Sequence, residues 1–160
     1  MTDTVDRGGT GRPGDMRPLE AVPGERPPKA RPAPVPEPEA EPYFAAAAEG
    51  RLVVQRCERC GAHQLYPRVL CLQCRGPVAW VEASGRGTVY SYTVIRQNHA
   101  RPFRDWIPYV VALVDLDEGP RLMTNVVGTD PDDVHVGMAV RARFEKVSDE
   151  AGIVLFEPAG

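Results

Sequence analysis

The chain has 160 residues, a formal net charge of -3 and 26% charged residues with both signs interspersed. That length holds one modest domain or two very small ones, and the near-neutral balance excludes a strongly basic chain built mainly for nucleic acid or anionic membrane. No apolar run approaches bilayer-spanning length, and Met1–Thr10 is polar with no cleavage-like site, so a cytoplasmic protein without membrane contact is expected.

Ten of the 17 prolines lie within the first 42 residues, as in Arg26-Pro27-Pro28-Lys29 and Arg31-Pro32-Ala33-Pro34-Val35-Pro36. Proline removes backbone donors and fixes φ, so neither helix nor sheet propagates there. The segment is also poor in large apolar residues. Residues 1–42 read as a disordered tail with polyproline II character. A docking arm for a partner that recognises proline-rich segments is the alternative.

Order is expected from Tyr43. Residues 43–50 read as a short alanine-rich helix, with Pro42 suited to its start and Gly50 to its stop. Such a helix is too short to stand alone, so Tyr43 and Phe44 must pack on the body or on another subunit. A strand follows over Arg51–Gln55, and then all four cysteines of the chain.

The cysteines read Cys57-Glu58-Arg59-Cys60-Gly61 and Cys71-Leu72-Gln73-Cys74. Two residues between paired cysteines let one tight turn aim both sulfurs at a single point. In a reducing compartment this spacing means metal ligands rather than disulfides. Two such turns offer four soft ligands in a tetrahedron, the arrangement zinc accepts, with no position left open for catalysis. One structural zinc ion is expected, contributing on the order of 10 kcal/mol to folding the ribbon. Gly61 permits the positive φ such a knuckle needs, and Gly76 is the candidate for the same service in the second knuckle. Arg56, Arg59, Arg68 and Arg75 lie beside the ligands in sequence and offset the thiolate charge, or present a basic face to a phosphate. His63 is read as a surface residue of the ribbon rather than a ligand.

Beyond the cysteines the chain is strand-rich. Strands are predicted over Val78–Ala83, Gly87–Gln97, Pro108–Asp117, Arg121–Val127, Met138–Val147 and Ile153–Phe156. Within Gly87–Gln97, strict alternation puts Val89, Ser91, Thr93 and Ile95 on one face and Thr88, Tyr90, Tyr92 and Val94 on the other. Turns are signalled at Asp117-Glu118-Gly119-Pro120 and at Ser148–Gly152. The fold class is therefore mainly β: a short helix, a rubredoxin-like zinc ribbon over 51–77, and a five- to six-stranded OB-type barrel over 78–160. A small sandwich is the runner-up.

With those elements placed, a family likeness emerges. It rests on Leu52-Val53-Val54-Gln55-Arg56-Cys57-Glu58-Arg59-Cys60-Gly61, the second knuckle, the run Trp80 to Thr93, Pro108 to Val114, and Gly137-Met138-Ala139-Val140. Over residues 43–158 the chain resembles the zinc-ribbon/OB-fold acyl-CoA-associated proteins, long described as a domain of unknown function. The resemblance implies a non-catalytic partner subunit of a thiolase-like, ketosynthase-like, aldolase or hydratase enzyme. It also implies bridging of subunits and help in holding the coenzyme A of an acyl-CoA substrate. One departure is visible: Arg75 follows the last cysteine, where family members often have glycine.

The residues agree on catalysis, since no nucleophile with a base, no phosphate loop and no paired carboxylates stand out. The loop Gln97–Ile107 combines cations and rings, the groups that hold phosphates and stack on adenine. Its candidate coenzyme contacts are His99, Arg101, Phe103, Arg104 and Trp106. Arg86 is a further candidate. The bland reading makes this an ordinary loop whose rings pack on the barrel. Two other functions compete: a single-stranded nucleic-acid module stacking bases on Tyr90, Tyr92, Phe103 and Trp106, which the charge balance disfavours, and a self-sufficient acyl-CoA hydrolase or hydratase.

Overall fold

The computed structural model describes residues 31–100 and 103–160. The first 30 residues of the predicted tail therefore lie outside the described residues. Residues 31–37 have no regular structure, and a turn at 38–40 leads into the helix α1 (Glu41–Ala48). Pro42 sits in its first turn, and Gly50, at φ 76°, follows its end. There Gly50 N donates to Ala47 O and Arg51 N to Ala46 O, the paired bonds that satisfy a helix's last carbonyls.

Three strands form the ribbon sheet: β1 (Val53–Cys57), β2 (His63–Gln64) and β3 (Val78–Glu82), in the order β2-β1-β3. Strand β3 pairs antiparallel with β1 from Val53↔Glu82 to Cys57↔Val78. It thus belongs to the ribbon sheet, although the expected boundary at 77/78 assigned it to the barrel. Five further strands close the barrel: β4 (Arg86–Ile95), β5 (Tyr109–Leu116), β6 (Arg121–Val126), β7 (Ala139–Lys146) and β8 (Gly152–Pro158). Their order around the barrel is β4-β5-β6-β8-β7, with β6 and β8 parallel and β7 closing on β4. This is the five-stranded Greek-key closure of an OB-type barrel.

Alternation builds the interior. On β5, Val110, Ala112, Val114 and Leu116 are buried, and their neighbours form the outer face. On β4 strict alternation fails. Val89 pairs with Val114 but Ser91 pairs with Leu113, so Tyr90 is the extra residue of a β-bulge. One inserted residue exchanges the two faces. Val89 is 1% exposed and Val94 packs against the core, although strict alternation put them on opposite faces.

Ribbon, helix and barrel share one core. Ala47, Leu52 and Val54 join Val89, Val114, Val140 and Phe156 in a single buried cluster, and Tyr43 packs against it. The linker is fixed as well: Ser84 N donates to Glu118 Oε1 at 2.6 Å, tying the ribbon's exit to the β5–β6 turn. Helix α1 lies on β8, β7 and β1. Its approach to β8 depends on Gly152, where an added Cβ would lie 2.5 Å from both Ala47 O and Ala48 N. Gly152→Ala should therefore push α1 off the barrel and cost about 1–3 kcal/mol, read by denaturant unfolding.

A candidate metal centre and a candidate coenzyme loop

The two cysteine turns are copies of one another. Cys57 N donates to Ala62 O and Gly61 N to Cys57 O; fourteen residues on, Cys71 N donates to Gly76 O and Arg75 N to Cys71 O. The amides of Arg59 and Cys60 point at Cys57 Sγ, each at 3.4 Å, and Gln73 N points at Cys71 Sγ at 3.4 Å. Backbone geometry alone thus aims the sulfurs and supplies their donors.

The four sulfurs lie within 4.8 Å of one another, with Cys57 Sγ 3.4 Å from Cys74 Sγ and Cys60 Sγ 3.7 Å from Cys71 Sγ. A tetrahedron of sulfurs around zinc has edges of about 3.8 Å. The donor set and its spacing therefore fit one tetrathiolate-bound metal ion. The amides contribute to its chemistry. The Cys60 amide above all, then that of Arg59, draws the Cys57 thiol down to about 6. The Cys74 amide lowers Cys71 in the same way. Cys60 also receives an amide, from Ala62, but hydrogen bonding to Cys74 and Cys57 pushes its thiol up to about 12. A divalent ion would favour the full set of thiolates.

The two knuckles differ at one position. Gly61 has φ 73°, and its counterpart is Arg75 at φ 57°, not Gly76. Gly76 is needed for space instead. A Cβ there would meet Arg59 Cβ at 3.0 Å, Cys74 Sγ at 3.2 Å and Cys57 Sγ at 3.3 Å. His63 lies on β2 opposite Arg56, and the metal-type cluster consists of the four cysteines without it. Arg68 donates to Pro67 O at 2.8 Å.

Two glutamines that the sequence reading passed over hold the loop between the knuckles. Gln55 is 4% exposed and bonds Arg68 twice, donating to its carbonyl and accepting from its amide, each at 2.9 Å. Gln64, 6% exposed, donates to Gln55 Oε1 at 2.9 Å and accepts from Leu72 N at 3.0 Å. On the outer side of that loop Tyr66, Val69, Leu70 and Leu72 are exposed.

The candidate coenzyme residues are only partly brought together. Phe103 to Trp106 form a single 3-10 turn in which the two rings meet edge to face, centroids 5.5 Å apart. Arg104 lies on the same turn, with its guanidinium 3.8 Å from Asp105. His99, in the same loop, contacts the Gln97 amide at 3.1 Å. Arg101 lies outside the described residues. Arg86 stands at the other end of β4, 3.5 Å from Asp117. Several surface arginines are likewise spent on carboxylates: Arg96 on Asp132, Arg121 on Asp115, and Arg141 and Arg143 on Glu157. Arg121 also covers the Tyr90 ring. Such pairing offsets the charge of these arginines locally. No helix among the described residues is long and apolar enough to cross a membrane.

Comparison with known proteins agrees with this architecture. Residues 44–80 match the family model of the ChsH2 rubredoxin-like zinc ribbon domain, and residues 80–145 that of the ChsH2 C-terminal OB-fold domain. A DUF35 domain-containing scaffold protein of Methanocaldococcus jannaschii is 33% identical over 111 residues, 66% of this chain and 77% of the relative. A probable enoyl-CoA hydratase alpha subunit of Thermomonospora curvata is 41% identical over 90% of this chain, but the match spans only 45% of that longer relative. A chain in the solved structure of an Ltp2-ChsH2(DUF35) aldolase superposes with a TM-score of 0.72 at 39% identity, covering 79% of this chain and 99% of that one.

The geometry at Gly76 and Arg75 makes opposite predictions. Gly76→Ala should lower metal affinity roughly tenfold, because the new methyl presses on two of the sulfurs. Arg75→Gly should leave affinity within about twofold and relieve up to about 1 kcal/mol of backbone strain. Chelator competition and thermal unfolding of the metal-loaded chain read both.

Proposed function

The chain belongs to the DUF35 family of zinc-ribbon and OB-fold scaffold proteins, typified by ChsH2, and from that premise we propose that it is a non-catalytic accessory subunit of an acyl-CoA enzyme. In this reading it binds one zinc ion through Cys57, Cys60, Cys71 and Cys74. It docks on an aldolase, thiolase-like, ketosynthase-like or hydratase subunit that carries the chemistry. It also helps hold the coenzyme A end of the substrate. The observation that carries the reading is the match along 99% of the chain found in the Ltp2-ChsH2(DUF35) aldolase structure.

The site chemistry supports a scaffold. Four thiolates fill a tetrahedron, so the ion has no open position for substrate or water. The ribbon supports docking on a protein. Val69 is 70% exposed and Leu72 66%, on a loop whose backbone is held from beneath by buried glutamines. Exposed apolar side chains on a braced loop suit a protein surface, because little ordering is needed on contact. For the coenzyme, Phe103, Arg104, Trp106 and His99 offer rings and cations on one loop, with Arg101 beside them in sequence. Arg86, at the far end of β4, is no part of that group.

Co-expression with an aldolase or hydratase subunit of acyl-CoA metabolism should give a complex that co-elutes on size exclusion with one zinc per copy of this chain. The chain alone should not turn over acyl-CoA. Leu72→Asp should abolish co-elution while metal content stays unchanged. Arg104→Ala should weaken coenzyme A binding by the complex several-fold. Failure to co-elute with any such enzyme, or thioester turnover by the isolated chain, would remove the reading.

A further inference from the structure

Arg31 is remote in sequence from everything its guanidinium touches. The group lies 4.3 Å from the centroid of the Trp106 ring. Its Nε donates to Glu145 Oε2 at 3.0 Å, and a terminal nitrogen donates to Asn125 Oδ1 at 3.0 Å. The Arg31 side chain is only 13% exposed, an unusual depth for an arginine. Asn125 is itself oriented, because its Nδ2 donates to Val110 O at 2.7 Å. The acceptor oxygen is thereby turned toward the guanidinium.

A ring, a carboxylate and a fixed amide oxygen match the flat face and the donor edges of a guanidinium. A lysine ammonium would offer neither the plane nor the fork. The three partners come from three places on the barrel. Trp106 is on the loop between β4 and β5. Asn125 is on the outer face of β6. Glu145 is near the end of β7, just before the hairpin to β8. In OB-type barrels the second and third strands, with the loops joining first to second and fourth to fifth, form the face that takes ligands. Arg31 therefore occupies that face from within the same chain. Only residues 32–40 separate it from α1, so the arm holds it at high effective concentration.

We propose that Trp106, Asn125 and Glu145 form an arginine-binding seat, filled in cis by Arg31, and that the arm is a strap covering the Trp106 face until Arg31 is displaced. This goes beyond the coenzyme reading and does not use it. The test uses the full zinc-loaded chain carrying Trp80→Phe, which leaves Trp106 as its one tryptophan. Acrylamide quenching of Trp106 should rise at least twofold in Arg31→Ala and in Glu145→Gln. A peptide of residues 27–36 added to the Arg31→Ala chain should reverse the rise saturably. The same peptide with Arg31→Lys should need roughly tenfold more. Quenching unchanged in both variants, or equal rescue by the lysine peptide, overturns the seat. Equal binding of the arginine peptide by the Arg31→Ala chain and by its parent overturns the strap. Coenzyme A binding can fail in every variant without touching either outcome.

Discussion

The convergence of four sulfurs within 4.8 Å is the constraint on which the ribbon depends. Between Cys57 and Pro77 little apolar surface is buried; the buried residues are Cys57, Gln64, Cys71 and Gly76. A segment this short cannot repay its ordering entropy through hydrophobic burial. Bonds from the four sulfurs to a metal ion would supply what a core supplies elsewhere. The two knuckles repeat the same amide and carbonyl bonds because each must aim two sulfurs at one centre. The small residue Gly76 and the left-handed backbone at Arg75 are consequences of that requirement.

The ribbon is not an independent appendage. Leu52 and Val54 of the chain entering it are 2% and 0% exposed, inside the same cluster as the barrel's Val89 and Phe156. Helix α1 closes that cluster from outside, seated on β8 where Gly152 has no side chain. The Ser84–Glu118 bond fixes the exit from the ribbon. Metal centre and barrel are therefore held in one orientation by packing on one side and a short hydrogen bond on the other.

Much of this was legible in the sequence, for reasons that differ by element. The cysteine spacing carries its own geometry, so the grouping of the four sulfurs needed no fold. Period-two runs such as Tyr109–Leu116 announce half-buried strands, and their number announces a small barrel. The β-bulge was illegible because Tyr90 looks like any strand residue; only the pairing partner reveals the extra one. Gly76 beside Arg75 misled because glycine serves two needs, positive φ and close approach, and sequence alone does not say which. Gln55 and Gln64 carry no local signal of burial; it follows from the loop carbonyl and amides that they bond. The Arg31 hydrogen bonds to Asn125 and Glu145 join residues 94 and 114 apart, beyond any local pattern.

The same buried amides bear on how a partner would be recognised. An exposed apolar loop is ordinarily a poor docking element, because fixing its backbone offsets much of what its side chains gain. Here that cost is met during folding. Gln55 and Gln64 bond the backbone of Arg68, Leu70 and Leu72 from the inner side, and Cys71 holds the loop's end at the metal centre. Tyr66, Val69, Leu70 and Leu72 are left to face outward on a backbone already fixed. Loss of the metal would therefore free the loop as well as the sulfurs, and affinity for a partner would fall because the unbound loop regains the entropy that the thiolates had removed.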